Sequence, residues 1–507
     1  MNDSGVRRWL ALGALAVAML TIGLDTTVLT VALPTLATDL GADNAHLQWF
    51  SSAYTLVLAA ALLPAGVLGD RYGRKKLLIV ALLVFGLASL ACSYAATSGQ
   101  LIAARAVLGL GAAVMMPLSM AVLPVLFPDA AERGRALTIW VTSTAIGLPL
   151  GPILGGWLLN HFWWGSVFLI NVPLVIVGAV AVATLVPESR SSATNPIDYL
   201  GAALSSVGLV GITYGFIETG RVGWGDSTAW IAVAIALVAF VLFALWERRV
   251  AHPLIDVSLF ADTGFRWGTI FSTLVNFGMF GLFFTVPQYF QAVLGVDALG
   301  SGLRLLPLIG GLLVGTRLGD PILRKAGPRP VLVFGFALLA AGLGAGAFTA
   351  VGTAYWFTAT WIALVGAGMG LVMPAAMGVA LNALSQERSG SGSGLIQALR
   401  QAGGTIGVAV LGTVLATRYR SQLGSLDVDP IRDGVNAGAA VTRHDPGTLE
   451  HVQSAFTSGM GLMLVVCAAI CAVAMVLAAV LKNLGAPGRA GGPQDADDDA
   501  QQSVYVG

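Results

Sequence analysis

Three charged side chains fall well inside long apolar runs: Asp25, Arg105 and Arg400. A charge in the hydrocarbon core costs roughly 2.5 kcal/mol or more even on the most lenient insertion scale, so each must meet a partner or water. A carboxyl in that setting can carry a proton in one conformation and release it in another, and a nearby guanidinium, always charged, tunes how readily it does so. At 1.5 Å per residue, Asp25 lies about 24 Å along its run, and Arg105 lies about 9 Å along a run of opposite direction. The two therefore reach similar depth. Their pairing is either a functional site or a purely structural ion pair. Glu218, at the end of its run, reads as interfacial, and Asp320 is a further acidic candidate.

The elements that must hold these groups follow from composition. Of 507 residues, 56% are hydrophobic and 10% charged, which excludes a soluble globular protein. With 27 Lys and Arg against 26 Asp and Glu, net charge is +1 and no basic stretch follows a phosphate backbone, so nucleic acid is not an expected partner. Cys92, Cys467 and Cys471 lie in apolar runs and give neither a disulfide framework nor a metal-ligand spacing. His444, Asp445, Glu450 and His451 could be arranged around a metal, but in a solvated loop that is a weak reading, and no metal or cofactor is expected.

A spanning helix needs about 20 mostly apolar residues. Fourteen such runs are present, at 9–34, 47–69, 76–96, 99–124, 136–159, 163–186, 200–219, 228–246, 267–290, 301–319, 330–350, 354–378, 394–416 and 456–481. The expected fold class is thus an all-α integral membrane protein. The first run is too long for a signal-peptide core and lacks a small-residue cleavage site, so it is expected to remain as a span. Segments on alternate sides hold 19 of the 27 Lys and Arg, while the short segments opposite hold only Arg221 and Arg304. By the positive-inside rule both termini are cytoplasmic in a cell membrane. The outer loop at 417–455 carries four more arginines, but long loops translocate largely regardless of charge. The 483–507 tail, rich in Gly, Pro, Asp and Gln, reads as disordered.

Gly109, Gly111, Met116 and Pro117 in span four recur as Gly366, Gly368, Met373 and Pro374 in span twelve. Four identities in phase indicate a duplicated six-helix unit. The basic run from Arg71 to Lys76 has its echo in Arg324, Lys325, Gly327, Pro328 and Arg329. The chain then divides into an N-terminal six-helix bundle (1–186), an inserted two-helix linker (187–265) and a C-terminal six-helix bundle (266–482), a 6+2+6 arrangement. Parallel repeats of this kind build secondary transporters, with the substrate path between the halves.

Two motifs narrow this further. Around the turn after span two, Gly66 and Gly69 present a small face, Gly73 permits a sharp turn, and Asp70 can pair with Arg71 or Arg74. A merely topogenic basic loop would explain the charges but not an acid between two glycines. In span five, Gly147, Gly151 and Gly155 fall at i, i+4 and i+8, stripping one face of side chains, with Pro152 to kink the helix and Gly156 adjoining. The first motif resembles the signature loop of the major facilitator superfamily, and the second resembles the antiporter helix of its exporters. The stretch from Leu24 to Pro34 is similar to the first-span motif of fourteen-helix drug:proton antiporters, with Thr30 where that family more often has Asn, and the stretch from His161 to Pro173 is similar to their quaternary-ammonium and dye-exporting branch. The resemblance covers all fourteen spans. It implies a major facilitator fold and export of amphipathic small molecules, lipophilic cations among them, in exchange for protons, by a monomer in the lipid bilayer. It further implies that Asp25 is the proton or cation site and Arg105 the charge that tunes it.

Relatives that resemble bis-cation exporters carry acidic residues in span thirteen, where this chain has Gln397 and Gln401 flanking Arg400. A cation in the path repels a cationic drug. Phe277, Phe280 and Phe284 share helical spacing in span nine and would line an aromatic path or face lipid.

Other functions fit less well. An ATP-driven pump needs a phosphate-cradling loop with a Gly-Lys step, and none of the four lysines follows Gly. No HExxH or nucleophile elbow marks an enzyme. A dedicated exporter of one endogenous metabolite or antibiotic remains an alternative; a nutrient importer of the same fold lacks a reason for the glycine triple.

Overall fold

Backbone N–H and C=O groups find no partner in hydrocarbon, so an apolar run long enough to cross it must satisfy them within itself, as a helix. The computed structural model describes residues 3–190, 198–223, 225–251, 253–384 and 389–481, and every element among them is helical. The side chains of Asp70 and of several α5 residues lie outside that description, as do Arg388, Lys482, Arg489 and the 483–507 tail.

The N-terminal helices are α1 (Asp3–Asp39), α2 (Asn44–Tyr72), α3 (Arg74–Ser93), α4 (Ser98–Leu126), α5 (Ala130–His161), a short α6 (Ser166–Leu169) and α7 (Asn171–Leu185). Next come α8 (Tyr199–Val222) and α9 (Ser227–Glu247), packed on one another, with α8 also against α2. The remainder are α10 (Thr263–Gln288), α11 (Ala298–Arg304), α12 (Leu306–Ala326), α13 (Pro328–Gly346), α14 (Tyr355–Asn382), α15 (Ser389–Leu423), α16 (Val435–Thr442) and α17 (Pro446–Val480). Among the described residues 13 spans are long and apolar enough to cross a membrane. The 32-residue α5 lies alongside α1 and completes the correspondence with the fourteen runs of the sequence.

Helices outlast their apolar stretches where polar residues continue the turn outside hydrocarbon. The segment at 417–455 is accordingly not an open loop: α15 runs to Leu423, α17 begins at Pro446, and α16 lies between them. Asp445 caps α17 through the Gly447 and Thr448 amides, and the His451 ring meets the Gln422 carbonyl at 2.9 Å. These side chains serve the local chain, and no group of three metal-ligand residues occurs among the described residues.

The recurrent glycines occupy matching places. An added Cβ on Gly109 would meet the Tyr54 carbonyl of α2, and one on Gly366 would meet the Leu308 carbonyl of α12. Gly111 faces Phe85 of α3 and Gly368 faces Leu339 of α13. Helix four of each set thus approaches helices two and three of that set backbone to backbone. Two main apolar cores result. The first is drawn from residues between Ala11 and Val186, joined by Phe284, Ala398 and Val408; the second is drawn from Phe271 to Ala478.

At the end away from Arg7, Arg8 and Arg74, the two sets meet closely. Gly156 of α5 lies against Ala298 and Leu299, and Gly302 of α11 lies against Pro152. Asn160 donates to Asp297 at 2.6 Å, and Gln291 donates to the Val31 carbonyl at 2.9 Å.

Candidate functional site

Asp25 and Arg105, 80 residues apart on antiparallel helices, meet. Arg105 Nη1 donates to Asp25 Oδ2 at 2.7 Å, with side chains 2% and 0% exposed. The guanidinium also donates from Nε to the Phe50 carbonyl at 3.1 Å, and its Cζ lies 4.7 Å from the Tyr54 ring and 5.9 Å from that of Phe168. A buried carboxylate retains further acceptor capacity that must be used. Asn171 supplies it, donating Nδ2 to Asp25 Oδ1 at 3.0 Å and to Ser89 Oγ at 3.3 Å. The carboxyl therefore joins α1 to α4 and α7, and Asn171 ties in α3 through Ser89.

Asn171 carries no role in the sequence reading, although it lies in the stretch from His161 to Pro173. The available signal was a lone amide opening an apolar span, a group that hydrocarbon cannot satisfy. Ser89 and the Phe50 carbonyl carry no comparable signal, because serines and backbone carbonyls are everywhere in such a chain.

The glycine triple of α5 grips α1 at this level. An added Cβ would stand 2.8 Å from Gly23 at Gly147, 2.9 Å from the Val28 nitrogen at Gly151, and 2.7 Å from Val28 Cγ2 at Gly155. The face of α1 opposite the triple carries Asp25 toward α4 and α7. Gly156 belongs to a different contact, with α11, so α5 links the helix bearing Asp25 to the second set of spans.

At the other end, Gly73 turns between α2 and α3 with φ +107°, a region that favours glycine. Gly66 and Gly69 lie against Pro117 and Leu118 of α4. Arg74 donates its backbone N–H to the Ser189 carbonyl at 2.9 Å and its guanidinium to the Ala121 carbonyl at 3.1 Å, while the Lys75 amide donates to Glu188 at 3.1 Å. Arg71 lies over the Tyr72 ring at 5.7 Å. Gly327, between α12 and α13, repeats the turn with φ +79°.

Arg400 sits on α15 at the seam between the two sets. Its Nη1 donates to Gln397 Oε1 at 3.0 Å and lies 3.6 Å from the Met377 sulfur; Nη2 lies 3.4 Å from Asn276 Oδ1. Gln397 also reaches Met116 of α4, N to S 4.0 Å. Gln401 is 8% exposed. Phe284 is buried at 1%, whereas Phe277 and Phe280 are half-buried. Glu218 is ion-paired with Arg221, and Asp320 with Arg324.

A polytopic helical protein with paired sets of spans and an ion pair buried between two spans is a membrane transporter in outline. Residues 15–408 match the model of the Major Facilitator Superfamily, and the chain belongs to that family. It is 32% identical to the tetracenomycin C resistance and export protein of Streptomyces glaucescens, over 93% of this chain and 91% of that one. It is also 32% identical to the multidrug efflux pump LfrA of Mycolicibacterium smegmatis, over 94% and 96%. The methylenomycin A resistance protein of Streptomyces coelicolor is 33% identical over 79% and 84%. A bacterial homolog of the human lysosomal transporter Spinster shares the fold, with TM-score 0.65 at 16% identity over 93% of this chain and 97% of that one.

Proposed function

We propose that this chain is a proton-coupled exporter of amphipathic drugs or toxic compounds, with Asp25 as the coupling carboxyl. The observation that carries the reading is a carboxyl 0% exposed within a span and paired with a guanidinium. The names of relatives aligned over nine-tenths of the chain support drug export.

In this reading the ion pair and the proton compete. Ionised, Asp25 holds α4 to α1 through Arg105 and holds α7 through Asn171. Protonated, it no longer neutralises Arg105, and α1 is released from α4. Because α1 is clasped by α5, and α5 abuts α11, the change in α1 is passed to the second set of spans. Helix pairs with two discrete packings can carry such a change. The turn at Gly73, tied to α4 and to Glu188, holds or frees the basic end of the same set. Spans group as six, two and six, the basic end and both termini face the cytoplasm, and one copy suffices.

A growth-inhibition panel in an efflux-deficient host, with and without this gene, tests export. Counterflow in inside-out vesicles tests direction. Protection by the gene and proton-driven uptake into such vesicles are expected; accumulation of substrate by intact cells would mean an importer.

A further inference from the structure

The resemblance implies lipophilic cations among the substrates, but the seam between the two sets carries a positive charge, Arg400, with no carboxylate partner among the described residues. Arg400 has no carboxylate within 4.0 Å among the described residues, and its acceptors are a Gln amide, an Asn amide and a thioether, all neutral. Its Nε has no hydrogen-bond partner, nor does the nearby Gln401 Oε1. The protein nonetheless holds this guanidinium in place: Asn276, 2% exposed on α10, donates to the Arg400 carbonyl at 2.9 Å and accepts from its side chain. A half-buried, oriented guanidinium whose acceptors among the described residues are all neutral, and whose Nε is buried without a partner, is suited to pair with a visiting anion.

Extending the export reading, we propose that Arg400 is a substrate-binding residue and that the preferred substrates are amphipathic organic anions such as sulfonates, carboxylates and acidic phenols. The anionic group takes the fork of Arg400. The apolar skeleton lies between Met116 of α4 and Met377 of α14, whose thioether side chains adapt to many shapes. A monoanion exported against one proton moves two charges, whereas a monocation exported against one proton moves none. Anion export is therefore the electrogenic case, accelerated by a cytoplasm-negative potential.

The test uses the full chain in inside-out vesicles with two probes, 8-anilinonaphthalene-1-sulfonate as the anion and ethidium as the cation, with membrane potential set by potassium and valinomycin. Wild type should take up the sulfonate in preference to ethidium, faster under a lumen-positive potential. Arg400→Gln should lower sulfonate uptake about tenfold, the scale of one charge-assisted hydrogen bond, without lowering ethidium uptake. Arg400→Lys, which keeps the charge, should retain part of it, and sulfonate binding to purified protein should follow the same order. Preference for ethidium by wild type, with the ratio unchanged in Arg400→Gln, would overturn the anion assignment while leaving proton-coupled export intact. Uptake of neither probe under a proton gradient would overturn both.

Discussion

Asp25 and Arg105 form a salt bridge of 2.7 Å that no more than 2% of either side chain shares with solvent. Removing one partner from such a pair leaves an uncompensated charge, at a cost of about 3–5 kcal/mol. Arg105→Ala is therefore expected to lower the thermal stability of the detergent-purified protein and its yield in the membrane. The double variant Arg105→Leu with Asp25→Asn should recover most of that stability and none of the export. Fluorescence-detected size exclusion after heating reads the first effect, and vesicle uptake the second.

Asn171 donates a hydrogen bond to the other oxygen of the same carboxylate. Hydrogen bonds to charged groups contribute about 1.5–3 kcal/mol. Asn171→Leu, alike in branching and compatible with lipid, should insert normally yet export at about a tenth of the wild-type rate or less. An unchanged rate would mean that the orientation of Asp25 does not depend on α7.

The α5–α1 contact makes a positional prediction. Gly151→Leu must displace the α1 backbone, since a Cβ at 151 already stands 2.9 Å from the Val28 nitrogen. Export should be abolished with the protein still in the membrane. Gly310→Ala, where nothing lies within 4 Å, is the control and should export at the wild-type rate.

Orientation is tested by reporter fusions. Those placed after residue 76 and at the C-terminus should report a cytoplasmic location, and one near 435, in α16, an outer location.

Much of this arrangement is legible in the residues. Spans are read from apolar length, and the depth of Asp25 and Arg105 from helix rise. Three of the four glycines singled out in span five fall on one helix face and meet one neighbour, as their spacing implies. Gly156 does not, because its partner is a helix 140 residues further on and no local pattern names it. Asn171 and Glu188 carry no role in the residues for a related reason: a single polar residue within or beside a span has many possible partners, and only packing selects one. The ordered turn at 424–445 was hidden because α15 and α17 continue through polar residues that hydropathy counts as loop. Arg400 was legible as a charge within a span, but the neutrality of its acceptors among the described residues appears only when α10 and α14 are placed around it.

The central claim is that Asp25 exchanges a proton as substrate binds, and proton release from purified protein measures this directly. In weakly buffered detergent solution with a pH indicator, adding an exported compound to wild type should release protons. Asp25→Asn, folded and still able to bind the compound, should release none, and Asp25→Glu should release a reduced amount. Undiminished release from Asp25→Asn would contradict the account and move coupling to another carboxyl, with Glu218 and Asp320 the next to substitute.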